Sequence, residues 1–265
     1  MVIEGLNKAK VIIGMVHFPA TPGYTLYDEH KGIKWIITRV QEDLHALQDG
    51  GIDAVMFCNE NDRPYTFQAD PMTVAVMARA IGQLLDEIRV PFGVDVLWDP
   101  KAAIALAKAT GAHFIREVLT GSYVSDMGFW NTAVGEIYRY RKLIDALHVK
   151  IFFNISAEFA SPLDKRPLEA IAKSVVFSSL ADALLVSGPM TGVPPSLESL
   201  VRVKEAVGDI PVLVNTGVNH ENVVDLLKVA DGAVVGTSLK KEGITWNPVD
   251  IDRVRSFMER VESLR

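Results

Sequence analysis

The sequence predicts an α/β protein built as a single (β/α)₈ TIM-barrel domain over residues 1–265. Eight short apolar runs alternate along the chain with segments whose apolar residues recur at helical spacing. No break in composition and no linker divides this series, and eight such repeats are typical of a closed parallel barrel. A doubly wound open sheet is the alternative, but its nucleotide-binding fingerprint G-x-G-x-x-G is missing from the sequence.

The predicted strands are almost continuously apolar, as expected of parallel strands that are covered on both faces. They lie at 11–18, 52–58, 91–98, 113–118, 149–155, 182–188, 210–215 and 231–236.

The predicted helices show apolar periodicity and recognisable ends. The first follows "GIKWIITRVQEDLHALQDG" and stops at Gly50-Gly51. The next two open at Asp70-Pro71 and Asp99-Pro100, where a capping side chain precedes a proline in the first turn. Further helices are predicted at 130–147, 166–179, 195–207, 220–229 and 249–263.

Short turns that carry an aspartate lead from several helices into the next strand. Asp53, Asp182 and Asp231 occupy these turns. They belong to the amino-terminal face of the barrel, where residues serve stability, so we interpret all three as structural.

Composition excludes several classes of protein. The net charge of −6 and the absence of any block of five like charges argue against a nucleic-acid partner. Cys58 is the one cysteine, so the chain cannot form an internal disulfide, which suits a reducing compartment. No uncharged apolar run reaches the ~18 residues of an integral membrane segment. We therefore expect a cytoplasmic protein.

Small polar residues and glycines end the last three predicted strands. In many barrels the loops at this position hold a phosphate group, because glycine lets backbone N–H groups approach an anion closely. The predicted phosphate-binding residues are Gly188, Thr191, Gly192, Asn215, Gly217, Gly236, Thr237 and Ser238. The alternative is that these residues only form tight turns.

Three other strand-end residues are candidates for catalysis. His17 follows the first strand and could act as an acid or a base. Asp95 and Arg116 interrupt apolar strands, and a buried charge there requires a partner. Either they form a structural pair, or Arg116 steers an anionic substrate while Asp95 acts as general base; His17 could equally be a packed histidine.

The sequence gives little indication of a cofactor. It contains no H-E-x-x-H motif and no Cys/His cluster, so we expect no zinc site. The carboxylates of Glu60, Asp62, Asp95 and Glu117 could hold Mg²⁺, although nothing in their spacing requires it.

Two connections, 18–32 and 118–130, exceed the usual length of loops in this fold. Their aromatic residues could cover a ligand or contact a second subunit, and we expect a homo-oligomer.

Several longer stretches resemble one family over nearly the whole chain. They are "VIIGMVHFPATPGY", "GVDVLWDPKAAIALAKATGAHFIR", "LTGSYVSDMG", "VSGPMTG" and "VNTGVNHENV…ADGAVVGTSLKKEG". On these motifs the sequence is identified as a member of the BtpA/SgcQ family, which is similar to the ribulose-phosphate-binding barrels.

The resemblance implies a barrel with a phosphate site, and it leaves the chemistry open. The cyanobacterial namesake of the family is associated with photosystem I biogenesis, while relatives in sugar-uptake gene clusters carry a nucleosidase label. Two runs depart from the family pattern. "NENDR" stands where "ENFGD" is usual and "FIREVLTG" where "RVNVLTG" is expected, so Glu60, Asp62 and Glu117 are not carried over as site residues.

The expected function is that of an enzyme acting on a small phosphorylated metabolite, either a sugar phosphate or a nucleotide-like compound. Isomerisation, lyase chemistry and nucleosidase-like hydrolysis all remain open. The alternative is a non-catalytic assembly or stability factor, because a fold does not fix a function.

Overall fold

Eight parallel strands close into a barrel in the computed structural model, which describes residues 8–265. The barrel strands are β1 (Val11–His17), β2 (Ala54–Cys58), β3 (Phe92–Asp95), β4 (Phe114–Glu117), β7 (Lys150–Asn154), β9 (Ala183–Val186), β10 (Val212–Val214) and β11 (Gly232–Val235). They follow one another around the barrel in chain order, and β11 closes the ring against β1. The predicted TIM-barrel fold is confirmed.

A helix follows each barrel strand and packs on the outside of the barrel. The helices are α1 (Gly32–Asp49), α2 (Pro71–Leu84), α3 (Pro100–Thr110), α4 (Val134–Leu143), α5 (Leu168–Ser179), α6 (Leu197–Val207), α7 (Val223–Val229) and α8 (Ile251–Glu262). No helix within residues 8–265 is long and apolar enough to cross a membrane.

The region between β4 and β7 differs from the prediction of a long loop followed by a helix at 130–147. Strands β5 (Ser122–Ser125) and β6 (Gly128–Asn131) form an antiparallel hairpin there, and α4 begins three residues after it ends. A third short strand, β8 (Ala160–Pro162), pairs with β5. The aromatic Trp130 therefore lies in a small sheet above the barrel, and its packing in that sheet overrides the helical pattern of the sequence.

The helix starts form as the capping signals predict. The Asp70 side chain accepts a hydrogen bond from the Met72 amide at 2.7 Å. Asp99 accepts from the amides of Lys101 and Ala102 at 3.1 and 3.0 Å. Each cap satisfies donors that the first turn of a helix leaves free, and this fixes where the preceding loop ends.

Two apolar layers hold the barrel together. Inside it, Phe114 stacks on Phe152 with ring centroids 4.8 Å apart. Outside, alternate strand residues such as Val94 and Ile115 pack against the apolar faces of the helices. Because both faces of every strand are covered, polar side chains concentrate at the strand ends.

The three aspartates at the amino-terminal face bind neighbouring backbone, as predicted. Asp53 accepts from the Ile12 amide at 2.8 Å. Asp182 accepts from the Ile151 amide at 2.9 Å, and Asp231 accepts from the Val212 amide at 2.8 Å. Each carboxylate thus ties the start of its strand to the neighbouring strand, and the structural interpretation is confirmed.

Candidate active site

A cavity of about 240 Å³ opens at the carboxyl ends of the barrel strands. Nine of the eleven residues predicted from the sequence line it. They are His17, Arg116, Thr191, Gly192, Asn215, Gly217, Gly236, Thr237 and Ser238. Parallel strands bring these residues together, because all their carboxyl ends meet at one face of the barrel.

One end of this cavity is formed by backbone after β11. The segment Gly236 to Ser238 enters a short 3₁₀ turn, Thr237–Leu239. The Leu239 and Lys240 amides close this turn on the carbonyls of Gly236 and Thr237, at 3.0 and 3.1 Å. The amides of Gly236, Thr237 and Ser238 themselves have no acceptor among residues 8–265. These donors remain free for an anion.

Two of the glycines predicted to bind phosphate allow the loop after β9 to pack closely against the backbone. Gly217 has a φ of +68°, and a Cβ at this position would lie 2.1 Å from the Pro194 nitrogen. Gly188 would place a Cβ 2.1 Å from the Val193 carbonyl oxygen, and its amide donates to the Thr216 hydroxyl at 2.7 Å. Gly188 therefore lies behind the wall of the cavity, where its amide is already used, and the structure does not support its prediction as a phosphate ligand.

An arginine that the sequence analysis did not consider joins the same end. Arg253, in α8, lines the cavity and donates from Nε to the Ser238 carbonyl at 2.8 Å. His220 lies between the two, with Nδ1 3.1 Å from Ser238 Oγ and Nε2 3.0 Å from the Arg253 carbonyl oxygen. No motif marks Arg253, since the last helix reaches the site only when the barrel closes.

The cavity is also lined by a buried guanidinium. Arg116 donates to Asn215 Oδ1 at 3.0 Å and forms an ion pair with Asp95, which is 1 % exposed. Burial raises the pKa of Asp95, and the positive charge of Arg116 opposes that rise. The predicted pair is confirmed, but Arg116 lines the cavity while Asp95 lies beneath it. Asp95 therefore acts on the cavity through Arg116.

Two carboxylates outside the predicted set, Glu60 and Glu158, also line the cavity. Glu158 accepts hydrogen bonds from Asn154 Nδ2 at 2.7 Å, Ser187 Oγ at 2.8 Å and Asn215 Nδ2 at 2.9 Å. Burial raises the pKa of both carboxyl groups, and the Arg116 charge lowers both. Glu60 lies in the run that departs from the family pattern, so the resemblance did not point to it; its place after a strand was the available signal.

His17 faces this arrangement from the end of β1. Burial lowers its pKa well below the usual value, and the charges of Lys240 and Arg116 lower it further. Its Nδ1 atom is buried without a hydrogen-bond partner in the part of the chain that the structure describes. The imidazole is therefore neutral near pH 7 and can accept a proton.

An aromatic wall completes the cavity. The ring of Tyr65 lies 6.1 Å from that of Trp98 and 6.0 Å from that of Phe159. Between 8 and 265, no group of three or more His, Cys, Asp or Glu side chains is arranged to hold a metal ion.

Comparison with known proteins shows relatives along the whole chain. The model of the BtpA family matches residues 8–263. The putative sgc region protein SgcQ of Escherichia coli is 50% identical over 262 residues, which cover 99% of this chain and 98% of that protein. The photosystem I biogenesis protein BtpA of Synechocystis is 32% identical over 251 residues, covering 94% and 86% of the two chains.

Solved structures of other barrels are similar in fold. A geranylgeranylglyceryl phosphate synthase from Thermoplasma acidophilum, in complex with its substrate sn-glycerol-1-phosphate, aligns with a TM-score of 0.63 at 15% identity, covering 97% and 94% of the chains. A phosphoribosyl anthranilate isomerase from Thermococcus kodakaraensis aligns with a TM-score of 0.55 at 14% identity, covering 95% and 98%. At such low identity these alignments establish the fold alone.

Proposed function

This chain belongs to the BtpA family, and we propose that it is an enzyme acting on a small phosphorylated metabolite. One observation carries the proposal. A single cavity is lined by free backbone amides and the Arg253 guanidinium, by the neutral buried histidine His17 beside Gly236, and by the paired arginine Arg116. Anchoring groups and proton-transfer groups that converge on one cavity are typical of an enzyme rather than a scaffold.

The anion end suits a phosphate monoester. The amides of Gly236, Thr237 and Ser238 supply several donors, and Arg253 adds a positive charge beside them. Such donors bind phosphate without reorganisation, since the 3₁₀ turn already holds them in place. The names of the two similar barrels include a phosphoribosyl compound and a glycerol phosphate, and these names support the same class of substrate.

The side chains of His17 and Arg116 suit proton transfer to or from a sugar phosphate or nucleotide-like compound. His17 is the general base in this proposal, because its neutral imidazole lines the cavity. Arg116 binds the developing negative charge of the substrate, and Asp95 holds the guanidinium in position. Isomerisation, lyase chemistry and hydrolysis of a glycosidic bond all begin with a step of this kind.

Thermal denaturation against phosphate, sugar phosphates, nucleosides and nucleotides tests the anion end. A ligand at a hundredfold its dissociation constant adds about 2.7 kcal/mol of stability, which raises Tm by several degrees. Thr237→Asp should abolish this shift by placing a negative charge in the phosphate cradle, which is formed by the amides of Gly236, Thr237 and Ser238. Thr38→Asp, on the exposed face of α1, makes the same chemical change away from the cavity and should leave the shift intact.

Two results would refute the proposal. The first is an absence of any shift with phosphorylated compounds; the second is a shift that Thr237→Asp and Thr38→Asp affect equally. Either one would leave the glycines as turn residues and favour a scaffold.

Exposed apolar side chains on α4 and at the end of α5 bear on the second candidate, a non-catalytic assembly factor, and on the predicted homo-oligomer. Leu143, Phe177 and Leu180 are 81%, 88% and 66% exposed. The Tyr138 hydroxyl of α4 donates at 2.7 Å to the carbonyl of Leu180, which follows α5. We propose that copies of this chain associate through this face. Sedimentation of Phe177→Ser should then yield a smaller species than the parent protein, with ligand binding unchanged.

A further inference from the structure

Carboxylates outnumber cations in the part of the cavity around Arg116. Arg116 comes from β4, which lies four strands from β11 in either direction around the barrel. Glu60, Asp95 and Glu158 surround this one guanidinium, and they are 6 %, 1 % and 4 % exposed. Lys240 is a further buried cation, but its ammonium group is already paired with Asp43 at 2.6 Å.

The three carboxylates differ in how many close hydrogen-bond or ion-pair partners they have. Asp95 is committed to Arg116, and Glu158 accepts three short hydrogen bonds from amide and hydroxyl groups. Within residues 8–265 the Glu60 carboxylate has only distant partners, namely the Thr191 hydroxyl at 3.3 Å and the Cys58 thiol at 3.6 Å. A carboxylate has about four acceptor positions, so Glu60 keeps acceptors available to a ligand.

An unpaired donor lies in the wall of the same cavity. Trp98 is 7 % exposed, and its Nε1 atom has no hydrogen-bond partner within residues 8–265. A ligand hydroxyl can donate to Glu60 and also accept a hydrogen bond, whereas a carboxylate or phosphate group can only accept.

We infer that the part of the ligand opposite its phosphate is uncharged and bears hydroxyl groups, and that Glu60 selects for this part. The inference rests on the proposed function and narrows it to phosphorylated polyols and sugars. A second anionic group on the ligand would lie beside like charges in a desolvated site, which weakens binding strongly. If Glu60 took up a proton so that the anion could bind, the free energy of that protonation would be subtracted from the free energy of binding.

A matched pair of ligands tests the inference by isothermal titration calorimetry near neutral pH. One ligand is glucose phosphorylated at its terminal carbon, and the other is gluconate phosphorylated at the same carbon. We expect the parent protein to bind the acid about tenfold or more weakly than the sugar. Glu60→Gln preserves the shape of the side chain and should reduce this discrimination about tenfold.

Glu221→Gln is the control, because Glu221 lines the cavity at its exposed, phosphate-binding end. It should change the affinity for both ligands in parallel and leave their ratio intact. Urea denaturation confirms that each variant is folded.

The outcomes separate the inference from the proposed function. Equal affinity of the parent protein for sugar and acid overturns the inference while the phosphate cradle stands. An unchanged ratio in Glu60→Gln removes Glu60 from the selection. Binding of neither ligand nor of inorganic phosphate refutes the proposed function, and the inference with it.

Discussion

Removing the partner of a buried lysine should destabilise this barrel by about 3–5 kcal/mol. Lys240 is 1 % exposed, and its ammonium group donates to Asp43 Oδ2 at 2.6 Å. The other oxygen of Asp43 accepts from the Val249 amide at 2.8 Å. Asp43 of α1 therefore holds the segment that follows the 3₁₀ turn after β11 against the barrel.

The perturbation is Asp43→Asn, which removes the charge and keeps an oxygen that can accept from Val249. The cost arises because an ammonium group without a counter-charge stays in a dry environment. The double variant Asp43→Asn/Lys240→Met removes both charges and should recover most of the loss. In Tm the single change corresponds to roughly 10 °C, at about 2–4 °C per kcal/mol for a domain of this size.

The loss should also depend on pH. Burial lowers the pKa of Lys240 in the folded state below its pKa in the unfolded state. The free energy of unfolding therefore falls as pH decreases from the unfolded-state pKa to the folded-state pKa. Without Asp43 the pKa of Lys240 in the folded state falls further, so the pH range over which the stability changes becomes wider. The deficit of Asp43→Asn relative to the parent protein should therefore shrink as pH rises from about 7 to about 10.

Urea denaturation at both pH values measures the deficit directly. Asp49→Asn is the control, because Asp49 pairs with Arg89 where the side chains are 49% and 58% exposed. An exposed pair contributes at most about 1 kcal/mol. The reasoning is refuted if Asp43→Asn costs no more than this control, or if its deficit is the same at both pH values.

Three other changes test separate parts of the structure. Gly217→Ala places an alanine at a positive φ and in a clash with Pro194, so it should lower the free energy of unfolding by about 1–3 kcal/mol and weaken phosphate binding in calorimetry. The control Gly82→Ala, in open space on α2, should be neutral or stabilising. Burial raises the pKa of Glu117 well above its usual value, so stability is lost as pH rises above about 4.3. Glu117→Gln should then gain about 1 kcal/mol or more relative to the parent at pH 7 and little near pH 4; a gain that is constant across melting curves at several pH values would contradict this. His17→Asn should abolish turnover of an identified substrate and preserve the Tm shift with phosphate compounds, and retained turnover would exclude His17 as the base.

Local signals explain why so much of the barrel could be predicted. Apolar runs and capping pairs such as Asp99-Pro100 act over a few residues, so their effects are visible in the sequence. The site residues at strand ends follow from the same pattern, since parallel strands deliver their carboxyl ends to one face. The departures are local too. The hairpin of β5 and β6 interrupts the helical pattern because Trp130 packs against Trp98 and Tyr123.

Pairings between distant parts of the chain account for what was missed. Thr191 and Glu60 are 131 positions apart, and they meet although β9 and β2 lie on opposite sides of the barrel, because the loop after β9 extends across its mouth. Arg253 reaches the cavity from the last helix in the same way. Such contacts depend on barrel closure and on which loops then cross the mouth.

The sequence by itself determined the barrel, its strand ends and the glycine-rich loops that follow the last strands, because periodicity and turn chemistry act locally. Tertiary structure decided which polar groups face the cavity and which are used behind it. Gly188 and Asp95 illustrate this, since one gives its amide to Thr216 and the other its charge to Arg116. The physical reason is that a buried polar group must find a partner, and closure of the barrel decides whether that partner is the protein or a ligand.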